Sequence, residues 1–192
     1  MFFTIIAVLI LLSFYSCYFI KMINQRRRGI TTDQLGKGKK GSKRIIEIMV
    51  KITTILTPVV EIVSIIFNTT MFPFYIRLIG IVICVFGVFF FITAVVQMRD
   101  SWRAGVSETE KTELVTGGLF KISRNPAFVG FDLVYIGILL MFFNWVLLAS
   151  SILSIVMFHL QIVCVEEGFL SQVFGESYLN YKKHVFRYLG AK

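Results

Sequence analysis

The residues able to do chemistry crowd into the second half of this chain. The stretch Thr116-Gly-Gly-Leu-Phe-Lys-Ile-Ser-Arg-Asn-Pro-Ala-Phe-Val-Gly130 is polar and turn-rich, and it opens straight into a long apolar run. Gly117 and Gly118 admit backbone conformations closed to other residues. Pro126 fixes its own φ and pushes Asn125 towards an extended conformation. Arg124 and Asn125 therefore stand on a shaped loop at the mouth of a helix, where a ligand can be held. Glu166 and Glu167 close the last apolar run. Adjacent carboxylates at such a point are either simply solvated or able to bind hydroxyl, amino or sulfonium groups. His159 lies inside that run, either packed with a satisfied hydrogen bond or in contact with a substrate. Asp132, about one turn into its own run, is expected to orient the loop or a neighbouring helix.

Apolar segments of unusual extent must position these groups. Of 192 residues, 56% are hydrophobic, 16% are charged and 20 are Phe, whereas soluble domains run at about 45–50% apolar and about 25% charged. The excess belongs to lipid-facing surface, so the chain reads as an all-α integral membrane protein. About 20 apolar residues cross a ~30 Å hydrocarbon core, and residues 1–20 contain no charge. Their basic residues follow the apolar run, which fits a transmembrane helix or signal anchor better than a cleaved signal peptide. Further spans are expected over 45–67, with a kink at Pro58, and over 74–97, with Gly80 and Gly87 as close-packing points. A short span over 128–143 turns tightly at Asn144 and returns over 145–165. Five transmembrane helices result. Glu61 and Arg77 flank one turn at comparable depth and are expected to pair. Trp102 fits an interfacial anchor, the basic segment 21–44 a solvated loop, and 107–113 a solvated stretch. Phe174, Tyr178, Tyr181 and Val185 recur at helical spacing in the tail 166–192.

The net charge of +9 does not point to nucleic acid, because the charges cluster between apolar runs. Nineteen of the 20 Lys and Arg residues fall on one side of a five-span topology, and Arg77 alone falls towards the other. The positive-inside rule then puts the N-terminus outside and the C-terminal tail in the cytoplasm. Cys17, Cys84 and Cys164 all lie in apolar runs without metal-like spacing and read as small apolar fillers, with no metal site expected.

Taken in order, Leu114-Val-Thr-Gly-Gly-Leu-Phe120, Ser123-Arg-Asn-Pro-Ala-Phe-Val-Gly130, Glu166-Glu-x-x-Leu170, Phe174-Gly-x-x-Tyr178-x-x-Tyr181 and Arg187 form one set. This set resembles the isoprenylcysteine carboxyl methyltransferase family of integral-membrane enzymes, with which phospholipid N-methyltransferases share the C-terminal pattern. The resemblance covers roughly residues 102–187. It implies methyl transfer from S-adenosylmethionine to an amphiphilic acceptor, either a lipophilic small molecule or a prenylated substrate, at the cytoplasmic membrane face. The implied cofactor contacts are Thr112, Glu113, Leu114, Val115, Phe120, Asn125, Pro126, Ala127, Phe128 and Glu166, with Glu166 favoured over Glu167. Residues 1–97 then carry three helices and the basic loop, and residues 98–192 the methyltransferase core: loop 98–127, hairpin 128–165 and tail 166–192.

Departures from the family pattern are informative. The family often has His where this chain has Asn125, and Tyr where it has Phe128. Asn keeps hydrogen-bonding capacity but carries no charge and transfers no proton, so Asn125 is expected to bind. Phe128 keeps an aromatic face. Ile162 stands where the eukaryotic prenylcysteine enzymes carry an Arg, which leaves Arg124, His159 and Arg187 as the expected substrate contacts. Methyl transfer from a sulfonium is a displacement on an already activated carbon, so the protein mainly positions reactants and excludes water. A phospholipid N-methyltransferase, an NADPH-dependent sterol reductase relative (those enzymes share an Arg-His-Pro-x-Tyr-like loop) and a non-enzymatic membrane scaffold or transporter stand as alternatives.

Overall fold

A computed structural model describes residues 1–107 and 112–190. Six α-helices carry the fold: α1 (Phe2–Arg27), α2 (Gly41–Ile66), α3 (Phe74–Met98), α4 (Pro126–Met141), α5 (Trp145–Leu160) and α6 (Glu167–His184). A π-helical turn, Gln161–Glu166, joins α5 to α6, and 3₁₀ turns occupy Arg99–Ser101 and Gly118–Lys121. Four helical runs are long and apolar enough to cross a membrane, α1, α2, α3 with its following turn, and the continuous run Trp145–His184, and α4 is a shorter apolar helix. At 1.5 Å per residue, α4 spans about 24 Å against a ~30 Å core. The described residues contain no strand, only an isolated bridge between Asp33 and Ala104. Large apolar side chains on the outer faces are exposed, among them Ile66 at 70% and Phe86 at 56%. That is the pattern lipid demands.

The tightest helix contact is a glycine seam between α3 and α4. A Cβ on Gly80 would sit 2.6 Å from the Gly137 carbonyl oxygen, and one on Gly87 would sit 2.9 Å from that of Gly130. Small residues facing each other seven apart on both helices let the backbones touch, which is how helices associate where no hydrophobic effect drives them. The seam holds α4 firmly enough for its N-terminal end to serve as one wall of a site. Helix α1 packs on α3 through Phe14 and Phe91, whose ring centroids lie 4.4 Å apart. Polar groups tie α2 to α5: Thr57 Oγ1 lies 2.8 Å from Ser154 Oγ, and the Asn144 side chain caps α5 by accepting from Leu147 N at 2.9 Å.

Several expectations are corrected. Glu61 and Arg77 do not pair. The Glu61 carboxylate is fully buried without a hydrogen-bond partner, whereas Arg77 donates to Asn68 Oδ1 at 3.0 Å and lies 4.0 Å over the Phe3 ring. The nearby turn meets the guanidinium first. Trp102 is no interfacial anchor. It is 4% exposed and edge-on to Tyr18 and Phe91, because the segment after α3 folds inward and Gln25 Nε2 donates to the Trp102 carbonyl. The basic segment 21–44 is not uniformly solvated either: α1 runs on to Arg27, and Thr32 and Lys39 are buried. Of the stretch 107–113, Ser107 is buried, and 108–111 lie outside the described residues.

Candidate active site

At one end of the helices the loop after α3, the start of α4, the π turn and α6 surround a cavity of about 140 Å³. Gly118, at φ +60°, starts the turn that places Phe120, and the Leu119 amide donates to Gln97 Oε1 at 3.0 Å. The tail then clasps this loop. Tyr181 Oη donates to the Phe120 carbonyl at 2.6 Å, Arg124 N donates to the Phe186 carbonyl at 3.0 Å, and Gly190 N donates to the Ile122 carbonyl at 2.7 Å. Gly175, at φ +51°, bends α6 back so that Phe174 and Tyr178 both face the cavity.

Thr112, Glu113, Leu114 and Val115 line this cavity, as do Phe120, the run Asn125, Pro126, Ala127 and Phe128, and Glu166. Arg124 lines it too, but its guanidinium is engaged: Nη2 lies 3.1 Å from Glu167 Oε1, and Nη1 donates to Tyr178 Oη at 3.0 Å. Arg187 and His159 are not among the lining residues. Arg187 Nε donates to Glu167 Oε1 at 2.7 Å, and His159 Nδ1 lies 2.6 Å from Tyr188 Oη. Asn125 Nδ2 donates to the Arg187 carbonyl at 3.0 Å, so the amide staples loop to tail. Asp132 orients nothing through Oδ1, which is buried without a hydrogen-bond partner.

The two adjacent acids have opposite surroundings. Burial raises the Glu167 carboxyl, but hydrogen bonds from Arg187 and Lys182 and the charge of Arg124 outweigh it and hold the group at about 2. Burial pushes Glu166 up to about 7; the Gln161 hydrogen bond and Lys39 lower it, and the Glu47 charge raises it. Glu167 is thus a structural anion, and Glu166 faces the cavity at the edge of ionisation.

A second, larger cavity of about 330 Å³ adjoins the first, and Trp102, Arg103, Gly105, Ala127 and Phe128 line both. It runs between α1 and α2, past Tyr15, Phe19 and Ile55, and is walled by Phe91, Phe131 and Phe158. Phe19 and Ile55 are 51% and 63% exposed, so its mouth lies on the lipid-facing surface. Sequence reasoning missed this site because its walls come from five helices, α1 to α5. The only signal was the density of aromatic residues.

Residues 75–177 match the family model described as phospholipid methyltransferase. The chain belongs to the phospholipid methyltransferase family. It is also 32% identical over 97 residues to the protein-S-isoprenylcysteine O-methyltransferase of Schizosaccharomyces pombe, covering 48% of this chain and 40% of that one. It is 32% identical over 80 residues to protein-S-isoprenylcysteine O-methyltransferase A of Arabidopsis thaliana, covering 42% and 41%. The matches therefore span about two fifths of the length of these relatives. The matched family segment takes in α3 to the middle of α6, which contains every lining residue of the first cavity but Tyr178 and Tyr181. Helices α1 and α2, which flank the mouth of the second cavity, fall outside it.

Proposed function

We propose that the chain transfers a methyl group from S-adenosylmethionine to a lipophilic acceptor resembling an isoprenylcysteine carboxylate, at the cytoplasmic face of the membrane. The observation that carries this reading is the pair of adjoining cavities, the first lined by all ten residues that the family resemblance implies as cofactor contacts and the second apolar and open towards lipid. The donor set of the first cavity suits the cofactor. Glu113 and Glu166 offer carboxylates to cationic and hydroxyl groups, while Phe120 and Phe128 offer aromatic faces to a purine or a sulfonium. Bound there, the cofactor supplies a methyl group already activated on sulfur.

The chain's own contribution is positional. Ala127 and Phe128 at the start of α4 and Trp102 on the opposite side form the shared wall where two reactants can meet, and the surrounding aromatic residues exclude water. A carboxylate acceptor is already a nucleophile and needs no base, in keeping with Asn125 in place of His. Arg103 lines both cavities and stands where an anionic head group would arrive; Ile162, at the position of the relatives' Arg, is fully buried. The clustering of basic residues supports a cytoplasmic site.

Protein in lipid nanodiscs should bind S-adenosylhomocysteine in a calorimetric titration. It should also move labelled methyl from S-adenosylmethionine onto a farnesylated cysteine in preference to phosphatidylethanolamine. No cofactor binding by folded protein defeats the reading. Preference for the phospholipid moves the acceptor to the other branch of the family.

A further inference from the structure

The loop 28–40 between α1 and α2 touches neither the cofactor motifs in sequence nor the segment matched by the family. In space it folds back onto the loop after α3: Gln34 N donates to the Ala104 carbonyl at 2.8 Å, and Ala104 N donates to that of Thr32 at 2.9 Å. This lands the Lys39 side chain, 4% exposed, in the interior. Its Nζ lies 2.8 Å from Glu47 Oε1 and donates to the Val106 carbonyl at 3.0 Å. Glu47, fully buried on α2, accepts from Gly36 N at 2.6 Å through its other oxygen. Gln161 Nε2 then spans two carboxylates, 3.2 Å from Glu47 Oε1 and 3.4 Å from Glu166 Oε1.

Two features make this chain of contacts more than incidental. Residues five apart in an α-helix diverge by about 140°; the π turn Gln161–Glu166 instead brings the first and last of its residues within reach. Ionised carboxylates only accept, so with both acids charged the nitrogen of the Gln161 amide faces the two of them. One ammonium therefore braces both sides of the first cavity, through Val106 on one and through Glu47, Gln161 and Glu166 on the other.

We propose that Lys39, Glu47 and Gln161 are positioning residues that hold Glu166 in the first cavity and set its charge, so that the loop 28–40 controls the site without lining it. Its consequence for the cofactor rests on the reading of that cavity given above. The groups facing Glu166 are Lys39 from the loop, Glu47 from α2 and Tyr178 from α6, besides Gln161 on its own turn. Lys39 is the cation among them. Taking it away should make Glu166 harder to ionise, and neutralising Glu47 should make it easier. A merely structural role would move neither.

Infrared titration of the protonated-carboxyl band in nanodiscs, with Glu166→Gln protein subtracted, reads this directly and needs no cofactor. The midpoint should rise in Lys39→Met and fall in Glu47→Gln, each by about one pH unit. In Lys39→Arg, which keeps the charge should methionine disturb folding, it should stay within a few tenths of a unit. A common midpoint in wild type, Lys39→Met and Glu47→Gln overturns the proposal, as does a shift of the same sign in both variants. Parallel titrations with S-adenosylhomocysteine separate the two readings. Affinity that follows the midpoint supports both, while moving midpoints without binding at any pH uphold the positioning role and defeat the cofactor site.

Discussion

Glu166 and Glu167 are neighbours in sequence that fall to two different charge clusters. Around Glu167 gather three cations for one carboxylate: Arg124, Lys182 and Arg187. Around Glu166 the ratio reverses, with Glu47 and Glu166 sharing one ammonium, from Lys39, through the Gln161 amide. The cation-rich cluster fixes its acid as an anion and spends it on tying the α6 tail to the loop before α4. The cation-poor cluster leaves its acid facing the cavity with hydrogen-bonding capacity to offer a ligand. A surplus of partners makes a carboxylate structural, and a shortage keeps it available.

The largest expected effect comes from removing the available acid. Glu166→Gln should weaken S-adenosylhomocysteine binding by about ten- to a hundredfold, the worth of a charge-assisted hydrogen bond, while thermal stability holds or rises because no buried charge is forced at neutral pH. Calorimetry and a melting curve check this together, and a stability loss without a binding loss would reverse the roles of the two acids. Glu167→Gln should do the opposite. It strands Arg124 with two further cations and should cost about 2 kcal/mol, below the fully buried case because Lys182 and Arg187 are partly solvated. Early proteolysis of the tail would report it.

The pH dependences should also oppose each other. Glu167 has a depressed value of about 2, so its contribution is present above the unfolded value of about 4.3 and lost as pH falls towards 2. Glu166 is raised to about 7, so its protonated form favours the fold at low pH and that contribution is lost as pH rises from about 4.3 through 7. Tail protection measured against pH should therefore fall on the acid side, whereas cofactor affinity should grow on passing pH 7. Smaller effects sharpen the picture. Asn125→Ala removes the staple to the Arg187 carbonyl and should cost about 1 kcal/mol in melting experiments. Lys182→Ala removes the most exposed partner of Glu167 and should cost about 0.5 kcal/mol or less.

Much of this was legible in the residues. Runs of apolar side chains are long-range order written locally, so the spans, the short α4 and the Asn144 turn could be read directly. Residues 112–115, Phe120, 125–128 and Glu166 formed an ordered pattern, and the fold gathers them around one cavity. What was misread depended on partners far away in sequence. Trp102 at the end of an apolar run has the signature of an interfacial anchor until Tyr18 and Phe91 are brought against it. Lys39, in a run of Gly and Lys, looks solvated until the loop folds back and Glu47 meets it. Glu61 and Arg77 looked paired by depth, but depth says nothing of azimuth around a helix.

By itself, then, the sequence determined that the chain is an all-α membrane protein, where its apolar helices run, and which loop and acid gather around one cavity, because hydropathy and motif spacing are local quantities. The motif alignment already favoured Glu166 over Glu167, but only the tertiary structure showed why: Glu166 lines the cavity, while Glu167 is locked away among three cations. The rotation of α6 after one π turn settles that choice, as do the distant cations that each carboxylate then meets.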